Sequence, residues 1–130
     1  MIKKGPKLST LFMNFVLQDG NKLILNSEED CKQLHNLLRD FASLLQIVGR
    51  LSHLFIGEVF QDRITIGNEF MKHLIAIVSF SCNKKLYSLE TPLECLANDF
   101  IEVHAQALGE FINHFLSIFR AIFYPFLTRY

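Results

Sequence analysis

A chain of 130 residues with 50% hydrophobic and 20% charged residues is long enough to bury one core and too apolar for a disordered tail. Thirteen Lys and Arg balance thirteen Asp and Glu, so no net field draws the molecule onto nucleic acid or anionic lipid. Thirteen Phe without a Trp add bulk with no polar handle, which suits packing between helical layers.

Gly5-Pro6 marks a boundary, after which Leu8, Leu11, Phe12, Phe15 and Val16 recur at helical spacing and predict a short helix to about Gln18. Asp19-Gly20-Asn21 then turns the chain. Ser27 ahead of Glu28, Glu29 and Asp30 places a capping hydroxyl and three acids where a helix start has orphan N–H groups and partial positive charge. From there Leu34, Leu37, Phe41, Leu44, Val48, Leu51 and Phe55 alternate steps of three and four, an apolar stripe widened by Leu38 and Leu45. One long helix that weakens at Gly49 is expected, because glycine costs about 1 kcal/mol against alanine in a helix interior.

A turn is expected over residues 61–67, followed by a third helix with Phe70, Leu74, Ile77 and Val78 on one face. Ile75, Ala76 and Phe80 make that helix apolar nearly all round, as for a helix sandwiched between others. Residues 81–92 read as a connector, and Pro92 suits the first turn of a fourth helix carrying Leu96, Phe100, Val103, Ala107, Phe111, Phe115 and Ile118. Residues 119–130 are aromatic-rich, interrupted by Pro125, and lack a polar helix stop.

Helices this apolar on their outer faces imply an all-α fold of stacked antiparallel helical hairpins, a HEAT- or armadillo-like α-solenoid fragment. Residues 1–130 are expected to form a single helical-repeat segment of a larger stack. The alternative is a self-contained helical bundle that serves as an interaction or dimerisation module through its aromatic C-terminal segment.

Nothing in the pattern assigns a catalytic, cofactor-binding or metal-binding residue. His35, His53, His73, His104 and His114 contain no i,i+4 pair and no His-Glu-x-x-His run. Cys31, Cys82 and Cys95 are odd in number and widely spaced, as expected of reduced thiols inside a cell, and Cys82 and Cys95 suit small apolar fillers. A Cys–His enzyme built from Cys95 and His104 is a remote alternative. Single glycines give no phosphate-cradling loop, and Lys3, Lys4, Lys7 and Lys84-Lys85 suit solubilising charge. No signal peptide is expected, and the most apolar stretch, residues 111–127, is broken by Asn113, His114, Ser117, Arg120 and Pro125, so no membrane span is expected. Arg39, Arg50, Glu58, Arg63 and Glu69 are candidate exposed contacts for a protein partner.

The segment Asp99-Phe100-Ile101-Glu102-Val103-His104-Ala105-Gln106-Ala107-Leu108 resembles a stretch of a nuclear export receptor of the importin-β-like superfamily. After Leu108 the chain departs from that pattern, and Phe100 and Val103 are expected to pack between helices. The resemblance implies a HEAT-repeat superhelix that binds the GTP-loaded GTPase Ran together with cargo, here actin bound to profilin. It also implies residence in both nucleus and cytoplasm, and that this chain is a piece of a much larger receptor.

Overall fold

The computed structural model describes residues 12, 14–18, 21–55, 58–85 and 99–128. Phe12, Asn14 and Phe15 are helical, with the Val16 amide donating to the Phe12 carbonyl at 2.9 Å. Gln18, at φ 65°, ends that turn in the left-handed region and accepts a bond from the Asn21 amide at 3.3 Å. Strand β1 (Lys22–Leu23) follows, then α1 (Glu28–Phe55), α2 (Glu58–Asn83), α3 (Asp99–Val103), α4 (Ala105–His114), α5 (Leu116–Phe123), a 3-10 turn (Tyr124–Phe126) and β2 (Leu127–Thr128). Helices packed on helices make the fold all-α.

The start of α1 is built as its sequence predicts. The Asp30 amide donates to Ser27 Oγ at 3.2 Å, and Asp30 Oδ2 accepts in return from the Asn26 amide at 2.8 Å. This is a capping exchange shifted by one residue, and it satisfies an orphan donor of the first turn. The glycines behave differently from expectation. α1 runs without interruption through Gly49, and the turn expected over residues 61–67 is absent, because α2 is helical throughout that stretch. The reason is packing: a Cβ on Gly49 would lie 3.0 Å from Ile64 Cγ2, and one on Gly67 would overlap the Phe111 ring. Each glycine marks a place where a neighbouring side chain enters the helix surface, which offsets its poor helix propensity.

α1 and α2 form an antiparallel hairpin, since Cys31 meets Cys82 near one end and Gly49 faces Ile64 near the other. α2 is therefore sandwiched as expected, with α1 on one side and α3–α4 on the other, where Gly67 receives Phe111 and His73 meets Phe100. α2 extends to Asn83, so residues 81–83 belong to the helix and not to a connector. Lys85, at φ 57°, closes it by donating its amide to the Cys82 carbonyl at 3.1 Å. Pro92 and Leu96 lie outside the described residues.

The described part of the expected fourth helix consists of three consecutive helical segments. His104 (φ −106°, ψ 19°) and Phe115 (φ −104°, ψ 22°) separate its three segments, yet i→i−4 bonds cross both points. Its end is core: Phe119, Ile122, Phe123 and Phe126 are buried, and the chain then pairs β2 with β1, Leu127 opposite Leu23 and Thr128 opposite Lys22. The Ile24 amide adds a bond to the Phe126 carbonyl at 3.0 Å. Phe12 closes the core from the N-terminal side, with its ring edge-on to Phe70, Phe119 and Phe123 at 6.1, 5.9 and 5.4 Å.

Candidate protein-interaction surface

α1 carries two apolar rows. Cys31, Leu34, Leu38, Phe41 and Leu45 are buried against α2 and α5, while Leu44, Ile47 and Leu51 are 51%, 53% and 55% exposed. The outward row lies about 120° round the helix from the buried one at 100° per residue. The sequence stripe merged them: it assigned Leu44 and Leu51 to the same face as Leu34 and Phe41, whereas the structure buries only the latter pair. An alternating three-four repeat averages 3.5 residues, so on a straight 3.6-residue helix the row drifts, and the neighbours alone decide which part is covered. Among the described residues, Leu44, Ile47 and Leu51 therefore form an exposed apolar strip along the second half of α1, bordered by exposed Asp40 and Ser43. A strip of this kind, rimmed by polar groups, is a candidate surface for a protein partner.

Exposed apolar side chains elsewhere are scattered over other elements. Phe15, Phe80, Val103 and Tyr124 are each more than half exposed. Val103, expected to pack between helices, is in fact exposed, because two residues on from buried Ile101 it lies about 200° round the same helix. Phe100 does pack, half-buried between the rings of His73 and His104 at 5.5 and 4.8 Å.

The candidate contact residues divide. Arg39 and Arg50 are exposed on α1. Arg63 is engaged with Glu110 at 2.6 Å, tying α2 to α4, and Glu69 accepts from Lys72 Nζ at 2.8 Å. That hydrogen bond, aided by the lysine charge, lowers the Glu69 pKa from its ordinary value. The side chains of Glu58 and His53 lie outside the description, as does Cys95, and with it the Cys95–His104 pairing.

The remaining titratable candidates sit apart from the exposed strip. His35 borders a cavity with Cys31 and Cys82, and the His114 ring stands on Phe115 at 4.8 Å. Cys82 is pushed up to about 12 by burial, then by its hydrogen bond to Cys31. Among the described residues no three of His, Cys, Asp and Glu are grouped to hold a metal ion, and no helix is long and apolar enough to cross a membrane. Glu28 and Glu29 are exposed at the α1 N-terminus and Asp30 is used in its cap.

No protein-family model matches the chain, and no solved structure does. Curated proteins do. Exportin-6 of Homo sapiens and that of Mus musculus are each 42% identical over 91 residues, 69% of this chain and 8% of theirs. Exportin-6 of Danio rerio is 36% identical over 110 residues, 81% of this chain and 10% of its own length. The likeness thus extends far beyond the ten residues from Asp99 to Leu108. This chain is a homologue of exportin-6 over most of its length, and it spans no more than about a tenth of the relatives it matches.

Proposed function

We propose that this chain is a helical-repeat unit of a nuclear transport receptor, with residues 1–130 acting as one protein-binding segment of a longer solenoid. The observation that carries this reading is the 36–42% identity to exportin-6 over 69–81% of the chain. The outward Leu44–Ile47–Leu51 row supports it, since a hairpin stacked on α1 would cover that row as α2 covers the opposite one. A scaffold of this kind works by shape and apolar burial and performs no bond chemistry, which accords with a helical core of Phe and Leu.

At finer grain, the proposed partners are GTP-loaded Ran and profilin–actin, engaged through a full-length receptor that shuttles between nucleus and cytoplasm. Nucleic acid is not a proposed partner, because the balanced charge supplies no electrostatic footprint. The test is an exchange. Human exportin-6 has its matching stretch replaced by this chain, and capture of profilin–actin is measured with and without GTP-loaded Ran. A folded chimera that keeps Ran-dependent capture supports the reading, and a folded chimera that loses it overturns the reading.

A further inference from the structure

The α1–α2 hairpin packs closely where Gly49 admits Ile64. Cys31 lies eighteen residues before Gly49, and Cys82 lies eighteen residues after Ile64. Eighteen residues are about five turns at 3.6 residues per turn, so the faces that touch at Gly49 return at the two cysteines. There the two cysteines come to the wall of one cavity, Cys31 buried and Cys82 half-buried. Both line an open cavity of about 490 Å³ shared with Glu28, His35 and Ser79, which has room for a small oxidant.

We propose that Cys31 and Cys82 are a redox-responsive pair, which peroxide closes into a disulfide clasping the start of α1 to the end of α2. The step balances. The Cys31 sulfur attacks one peroxide oxygen, the O–O bond breaks, and the departing hydroxide takes up the thiol proton to leave as water. The Cys82 sulfur then attacks the Cys31 sulfenic acid: S–S forms, S–O breaks, and a second water leaves with the Cys82 proton. Two thiols lose two electrons and one hydrogen peroxide becomes two waters. Burial pushes the Cys82 pKa up to about 12. The clasp encloses residues 32–81, and a loop of that length constrains the unfolded chain strongly. The inference stands on the hairpin alone and not on the transport reading.

A Cys95→Ser variant of the full chain leaves Cys31 and Cys82 as the two thiols, and is treated with equimolar hydrogen peroxide. Peptide mapping without reductant is expected to show a 31–82 link within one molecule, lighter by two hydrogens and reversed by dithiothreitol. The oxidised protein should melt roughly 10 °C above the same sample after reduction. Sulfinic acid on either cysteine without the link, or disulfides only between molecules, would overturn the proposal. Because oxidised and reduced states are compared in one protein, the result does not depend on whether a Cys31→Ala variant folds.

Discussion

α2 is held from two sides, and both seams use a glycine, but the two seams do not have the same give. Against α1, the γ-methyl on Ile64 Cβ would lie 3.0 Å from a Cβ on Gly49, so it has to shift by only a few tenths of an ångström. Against α4, Gly67 admits the Phe111 ring, which is 1% exposed and stands against Phe115 and Phe119 at 5.2 and 5.9 Å. A ring with rings behind it has nowhere to move. The same residue type in the same helical context thus marks a tight contact on one side and a full overlap on the other, and how far the neighbouring group penetrates makes the difference.

Phe119 is where the seams converge, since its ring meets Phe41 of α1 at 5.2 Å, Phe70 of α2 at 6.4 Å and Phe12 at 5.9 Å. Phe119→Ala is expected to cost about 3–5 kcal/mol in urea unfolding. A loss below about 1 kcal/mol would mean that the two seams are independent.

Gly67→Ala should cost about 2 kcal/mol, because the new methyl displaces a ring that cannot retreat. Combining it with Phe111→Leu should recover part of that loss in a double-mutant cycle; strictly additive losses would remove the ring from the explanation.

Ser81 sharpens the comparison from within α2. Its hydroxyl is fully buried with no hydrogen-bond partner among the described residues. Ser81→Ala should therefore raise stability by about 1 kcal/mol, and a loss of stability would show that the hydroxyl is satisfied.

The smallest effect is expected at Gly49. Alanine gains about 1 kcal/mol of helix propensity there and gives back a similar amount at the Ile64 contact, leaving the midpoint of denaturation nearly unchanged. Equal losses for Gly49→Ala and Gly67→Ala would erase the difference between the seams.

Local chemistry was legible where it acts locally. The Ser27 cap and the acidic first turn could be read directly, because capping leaves marks within a few residues, whereas Ala76 and Phe80, expected to be covered on a sandwiched α2, are exposed. The turn expected over residues 61–67 was misread, because Gln, Asp, Thr, Gly and Asn in one stretch mimic loop composition. There Thr65 instead donates its hydroxyl to the Gln61 carbonyl at 3.0 Å within the helix. The candidate surface was half legible. Leu44 and Leu51 were visible as apolar residues of α1, but nothing in a three-four repeat says which row meets α2 and which stays outside.

The sequence by itself determined that the chain is helical, where its clearest helix begins and that its aromatic residues would pack between layers, because propensity, capping and apolar period are properties of neighbours along the chain. Only the tertiary structure decided that Gly49 and Gly67 are points of close approach, that Cys31 meets Cys82, that β1 reaches across to β2, and that Leu44, Ile47 and Leu51 face outward. Those outcomes depend on which surfaces come within van der Waals range, and that is settled by partners tens of residues away.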